Sequence, residues 1–288
     1  GTAVFEATTM AVRVTKRKRI VIHGSLNPRY RAILDTHCAN LGLDLVEGDD
    51  PTDAACVIVQ NPEFTGTVRD FTDLAERCHE AGALLVMSTY PVALGLIKSP
   101  GEQGVDIAVA EGQSVGMPLG FGGPYLGMMA TRPEHVRKMP GRIAGETRDA
   151  LDRRGFVLTL QAREQHIRRG KAMSNICTNQ ALCALRGLIH MCLLGKEGLR
   201  EVATHCYAKT EYLKSKLPFV ELLNDGPTFN EFAVRLGRPA DEVVAELAKR
   251  GIQPGLPLHS FGLGEPNDLL IAVTEKRSRA ELDAFAGA

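Results

Sequence analysis

A chain of 288 residues is long enough for about two domains, and 44% hydrophobic with 24% charged residues is an ordinary globular composition. Its 34 basic residues balance 34 acidic ones, which gives no electrostatic reason for nucleic acid or an anionic membrane as a main partner. No apolar run reaches the ~18–20 residues of a membrane span.

Residues 2–13 already carry a helical pattern, so the sequence is expected to begin inside a fold, with an N-terminal portion preceding it. Short apolar, β-branched runs follow at 19–23, 43–47, 55–60, 84–88, 106–110, 125–130 and 156–160. Helical patterns lie between several of them, at 28–41, 67–81 and 133–139. Continuously apolar strands separated by helices predict an α/β unit whose sheet is parallel or mixed and covered on both faces. The cysteines, Cys38, Cys56, Cys78, Cys177, Cys183, Cys192 and Cys206, include no C-x-x-C pair and sit mostly in apolar stretches. They read as buried, reduced thiols of a cytoplasmic protein rather than a zinc site or a disulfide framework.

Residues 174–194 are apolar nearly all the way round, through Leu182, Leu185, Leu188, Ile189, Leu193 and Leu194, which predicts a buried helix ending at Gly195. A second helix over 197–217 keeps its apolar positions on one face and is limited by Pro218. The expected division is a large α/β domain over 1–195, and a linking helix with a small α/β domain over 196–288. In the latter, 220–223 and 231–236 can pair across Asp225-Gly226, a helix spans 239–250, and 269–274 is a further strand. Ser278 and Glu281 have the spacing of a capping box for the last helix.

Two stretches could carry chemistry. Residues 111–127 hold glycine at 112, 116, 120, 122, 123 and 127, a density that implies turns or a backbone approaching something closely. The spacing fits neither the dinucleotide fingerprint, since Leu126 stands where a third glycine belongs, nor a Walker A loop. Residues 161–178 hold Arg163, Glu164, His166, Arg168, Arg169 and Lys171, then Ser174, Asn175 and Thr178. The last three can cap the following helix. The basic residues are either a solvated face or a grip on a carboxylate or phosphate. His166 has the chemistry of a general base but no partner visible in sequence.

Glu111-Gly112-Gln113-Ser114-Val115-Gly116-Met117-Pro118-Leu119-Gly120-Phe121-Gly122-Gly123-Pro124-Tyr125 resembles the glycine-rich segment of the glycine decarboxylase P-protein family. Gln161-Ala162-Arg163-Glu164-Gln165-His166-Ile167-Arg168-Arg169, continuing through Ser174-Asn175-Ile176-Cys177-Thr178-Asn179-Gln180-Ala181-Leu182, is similar to that family's other long signature. The resemblance implies an aminotransferase-like, fold type I pyridoxal-phosphate architecture. Members of the family occur as one long chain with two related halves, or as two subunits. The second half or subunit bears the Schiff-base lysine before a proline-led glycine loop, and this sequence matches the other half. Aligning Pro118 with that proline puts Gln113 at the lysine position, and an amide cannot form the Schiff base. Lys98, Lys138 and Lys171 lie elsewhere in the sequence.

The resemblance therefore implies a lysine-less subunit 1 that works with a lysine-bearing subunit 2 as a heterodimer or heterotetramer. Pyridoxal phosphate is held covalently by the partner, glycine is decarboxylated, and the aminomethyl group passes to the lipoyl arm of H-protein. Gly120, Gly122 and Gly123 are candidates to line the partner's cofactor site, with Gln113, Arg163 and His166 as substrate or interface residues. Two alternatives stay open: a structural or regulatory subunit with a vestigial pocket, and an autonomous fold type I enzyme.

Overall fold

Strands that are apolar on both sides need cover on both sides. The computed structural model describes residues 1–172, 174–176 and 180–288. Its main sheet contains β1 (Arg19–Ile22), β2 (Asp44–Glu47), β3 (Ala54–Asn61), β4 (Leu84–Thr89), β5 (Ile107–Glu111) and β6 (Gly127–Thr131), in the order β2-β1-β3-β4-β5-β6. All neighbours are parallel except β6, which runs antiparallel to β5. Side chains alternate between the faces. Ile20, Ile22, Cys56, Ile58, Leu84 and Val86 pack under α1 (Thr2–Thr15) and α2 (Pro28–Leu41). Val21, Val57, Val59, Leu85 and Met87 pack under α3 (Thr72–Glu80) through Phe71, Leu74, Ala75 and Cys78.

The predicted helix over 67–81 is shortened, because residues 65–69 are used to join the two halves of the molecule. Thr67 bridges Thr228, Val68 N donates to Pro227 O at 2.7 Å, and Asn224 Nδ2 donates to Thr65 O at 2.9 Å. Residues Pro133–Lys138 form a 3-10 helix rather than an α-helix. The strand expected at 156–160 belongs outside the main sheet: among the described residues β7 (Ile143–Arg148) and β8 (Arg154–Thr159) pair only with each other, as an antiparallel hairpin. Phe156, Val157 and Leu158 on it are exposed.

After the one-turn α4 (Gln165–Arg168) comes α5 (Ala181–Ser215), one long element kinked at Gly195, whose φ of 62° and ψ of −172° are not helical. The stop expected at that glycine is thus a bend. The first limb is not the buried helix its composition predicts. Leu182 is 79% and Leu193 82% exposed, and Leu185, Leu188 and Ile189 are exposed as well. Only a narrow stripe through Cys183, Gly187, His190 and Leu194 turns toward the body. Apolarity states that a surface must be covered, but not that the same chain covers it.

The second limb is well anchored. Gly95 lets it approach the 3-10 turn Pro91–Gly95 so closely that an added Cβ would meet Ala203 Cβ at 2.8 Å. Beyond it lie β9 (Glu221–Leu222), β10 (Glu231–Arg235), α6 (Ala240–Lys249), β11 (Leu256–Pro257), β12 (Asp268–Ala272) and α7 (Arg279–Ala286). The strands form an antiparallel sheet in the order β11-β12-β10-β9. Phe232, Val234, Leu269 and Ile271 pack with Leu213 of α5, with Leu217 just beyond that helix, and with Leu282 of α7. The Ser278–Glu281 capping box is present as expected.

All six described cysteines are free. Cys38, Cys56, Cys78 and Cys206 are buried, whereas Cys192 is exposed, against the expectation of buried thiols. Met173, Cys177, Thr178 and Asn179 lie outside the described residues, and with them the capping role expected of Thr178. Among the described residues no helix is long and apolar enough to cross a membrane.

Candidate functional site

Open α/β sheets place ligands at the carboxyl ends of their strands, where the strand order reverses. Here that point lies between β1 and β3, and it is filled. Glu63 is buried, its Oε1 accepts from Ser25 N at 3.3 Å, and its Oε2 takes Arg69 Nε at 3.1 Å. Gly24, at φ +73°, is required beside it, since a Cβ would stand 2.3 Å from Glu63 Oε1.

The glycine-rich segment leaves the same edge of the sheet after β5. Its base is closed by Glu111, whose Oε1 accepts from Gln113 N at 2.9 Å and Leu126 N at 3.2 Å, while Gly112 N donates to Leu126 O at 2.7 Å. Gln113 is half-buried, and its side-chain Nε2 donates to Pro118 O at 3.3 Å. The loop leans on the first limb of α5: Arg186 Nε donates to Gly116 O at 2.5 Å, and Gly187 faces Val115 O at 3.5 Å from where its Cβ would be. Farther out the tip is bare. Gly120 must be small because a Cβ would meet Gly123 O at 2.7 Å, Gly122 and Gly123 have positive φ, and Phe121 is 95% exposed.

Arg163 and His166 are placed differently. Arg163 is buried, and its guanidinium donates to the backbone carbonyls of Met139 and Gly141. It thereby fixes the turn that leads into β7. His166 lies exposed on α4. Among the described residues no hydrogen bond or ion pair joins either of them to Gln113. Ser174 does not cap α5. Its hydroxyl donates to Glu6 Oε1 at 3.0 Å, tying this segment to α1, and the residue at the start of α5 is Gln180.

Between the loop, the turn at Pro91 and the kink of α5 lies a cavity of about 260 Å³ lined by Val92, Ser114, His190, Leu194, Lys196 and Val202. Tyr90 stands next to this region. Burial is the main cause that pushes its hydroxyl up to about 12, with Cys206 and the carboxylates of Glu231 and Glu275 adding to it. The sequence reading missed this pocket, since His190 and Lys196 sit in an apolar run with no spacing that sets them apart. It missed Glu231 as well, whose carboxyl is pushed up to about 7 by burial.

Residues 1–287 match the family model described as glycine cleavage system P-protein. The chain belongs to that family. A probable glycine dehydrogenase (decarboxylating) subunit 1 from Citrifermentans bemidjiense is 51% identical, over 99% of this chain and 68% of the relative. The relative of the same name from Geotalea uraniireducens is 52% identical, over 99% and 69%. A crystal structure of glycine decarboxylase (P-protein) of the glycine cleavage system, in inhibitor-bound form, superposes with a TM-score of 0.93 at 41% identity, covering 99% of this chain and 68% of that one. A NifS-like protein (TM-score 0.67, 16% identity) and an aspartate aminotransferase from Thermus thermophilus (0.63, 18%) share the fold alone. The α/β, fold type I architecture expected from the sequence is therefore the observed one, and the two relatives of about 50% identity are both named as probable first subunits of glycine dehydrogenase.

Proposed function

We propose that this chain is the lysine-less subunit of a two-subunit glycine decarboxylase and completes a pyridoxal-phosphate site whose cofactor the companion subunit holds. The observation that carries the reading is Gln113. The glycine loop is closed on Glu111, and the residue that the sequence resemblance aligns with the lysine is an amide that donates to Pro118 O.

This chain's own residues do not fit the cofactor. Among the described residues no lysine amine stands at the loop, Lys98 being engaged by Asp70 at 3.0 Å. The buried Glu63 carboxylate also occupies the switch point where an anionic phosphate would otherwise meet Ser25 N. When bound to the companion, the cofactor supplies the electron sink for loss of carbon dioxide, and the lipoyl group of H-protein is the acceptor. The part of this chain is to present Gly120, Gly122 and Gly123, together with Gln113, to the shared site. Arg163 fixes the turn at Met139 and Gly141, and His166 is exposed on α4.

The test is to purify the chain alone and with the lysine-bearing companion, then measure exchange of labelled bicarbonate into glycine. The chain alone should show no pyridoxal absorbance shift and no exchange, and the pair should show both. Borohydride trapping of the cofactor on any side chain of the isolated protein would overturn the reading. A second reading, that the chain only supports assembly, is favoured by the buried Arg163, which is spent on backbone carbonyls. Single substitutions of Gln113 and His166 that leave both assembly and exchange unchanged would decide for it.

A further inference from the structure

We propose that Glu6 is a positioning residue for the shared site: it fastens residues 174–176 to α1 and, through the start of α5, sets where the glycine loop stands. This role rests on the two-subunit reading above. α1 is a firm reference, because Val4, Ala7, Met10 and Ala11 are buried against the main sheet. About two turns apart, Glu6 and Arg13 share a neighbouring face of that helix. Ser174 Oγ donates to Glu6 Oε1 at 3.0 Å and accepts from Ile176 N at 3.1 Å, so the hydroxyl is held from both sides. Arg13 Nη2 donates to Ala172 O at 3.3 Å, and Ala172 is buried. α5 opens shortly beyond, at Ala181, and its first limb holds the loop through Arg186 Nε and Gly116 O. The start of α1 stands at the base of the same loop: a Cβ on Gly127, which pairs with Glu111, would lie 4.0 Å from Ala3 Cβ. One helix is thus the common reference for the base of the loop and for the helix that leans on its outer part.

Stability does not account for a carboxyl at this position. Glu6 is buried, and burial pushes its carboxyl up, with Ser174, Arg13 and His37 offsetting this only in part. A buried carboxyl that faces one neutral hydroxyl stabilises less than an apolar side chain of the same shape. What Glu6 contributes is placement. Removing the acceptor while keeping the volume should therefore leave the fold intact and impair the reaction, and a residue with a merely structural role would do neither.

The experiment compares Glu6→Met, which keeps the length of the side chain and loses the acceptor, with Glu6→Gln, which keeps both. Each variant is combined with the lysine-bearing companion, and exchange of labelled bicarbonate into glycine is followed over a range of glycine concentrations. Glu6→Met should melt no more than about 2 °C below wild type. Its kcat should fall at least about 10-fold with the KM for glycine unchanged, because a displaced support misaligns the reacting groups without touching the substrate. Glu6→Gln should restore most of the rate. In the isolated chain, amide exchange at Ile176 and at Met117 of the loop should quicken in Glu6→Met and not in Glu6→Gln. Wild-type exchange of bicarbonate by Glu6→Met, or a Glu6→Gln as slow as Glu6→Met, overturns the role and leaves the subunit reading intact. A melting temperature that falls together with the rate in Glu6→Met makes Glu6 a structural residue and overturns it as well. A wild-type pair that exchanges nothing overturns the two-subunit reading and this role with it.

Discussion

Replacing Gly116 by alanine tests whether the glycine loop and α5 form one rigid unit. Gly116 has a φ of +93°, and a Cβ built there lies 2.6 Å from His190 Cβ and 2.8 Å from its Cγ. Left-handed backbone costs an L-residue about 1–2 kcal/mol. The contact adds to this, because His190 Cβ is the fixed root of a helical side chain and moves only if the helix moves. Overpacking of that kind costs roughly 1–3 kcal/mol, so Gly116→Ala should destabilise by about 2–5 kcal/mol. Gly141→Ala isolates the backbone part, since its φ is +78° and a Cβ there meets nothing within 4 Å. That variant should lose only about 1–2 kcal/mol. Urea unfolding at constant m-value reads both. If Gly116→Ala loses no more than Gly141→Ala, the helix yields to the loop and the rigid-unit argument is wrong.

Glu231 makes stability depend on pH. Burial holds its pKa at about 7, above the roughly 4.3 of an unfolded chain, so its contribution is full below the lower value and is lost as pH rises through about 7. Glu231→Gln should flatten that slope and gain up to about 3 kcal/mol at pH 8, measured by denaturant titration at pH 5 and pH 8; an unchanged slope would refute it. Asp106 is buried at the start of the β5 segment, accepts from Leu85 N at 2.8 Å, and faces His79 Nε2 at 3.0 Å and Arg132 Nε at 3.1 Å. Asp106→Ala should cost about 3 kcal/mol and lower the melting temperature by roughly 6–12 °C, whereas a shift below about 2 °C would show that the three donors find other partners. Ser278→Ala removes one half of the capping box and should destabilise α7 by about 1 kcal/mol, seen as faster amide exchange at Glu281.

How far the fold could be read from the sequence depended on what each residue's neighbours were. Ile20 to Ile22 and Val57 to Val59 face covers on both sides within one chain, so their unbroken apolarity identified them as sheet interior. The capping box was legible because its partners are only a few residues apart. The hairpin at 143–159 was half missed, since Ile143-Ala144-Gly145-Glu146-Thr147-Arg148 has little β-branched character and its pairing is set by the partner strand. The first limb of α5 misled for a different reason. Leu182 and Leu193 are as apolar as core residues, and their sequence pattern alone does not reveal that both stand exposed. The candidate site divided the same way. The turn-rich character of the segment around Gln113 was legible from its glycines, whereas the use of Arg163 on Met139 and Gly141 depends on a turn more than twenty residues away.

The closure of the glycine loop depends little on the side chain at position 113. Its closure rests on the Glu111 carboxylate, on Gly112 N to Leu126 O, and on backbone bonds from Val115 to Gly112 and from Met117 to Gln113. The side chain at position 113 adds only one weak bond, to Pro118 O. A change of side chain at that position should therefore have little effect on the shape of the loop. Gly116 and Gly120 answer to the opposite constraint, because a methyl group at either meets His190 or the Gly123 carbonyl at under 3 Å. Between Glu111 and Tyr125 the steric constraints thus fall on the backbone and on these glycines, and the side chain of Gln113 bears little of the closure.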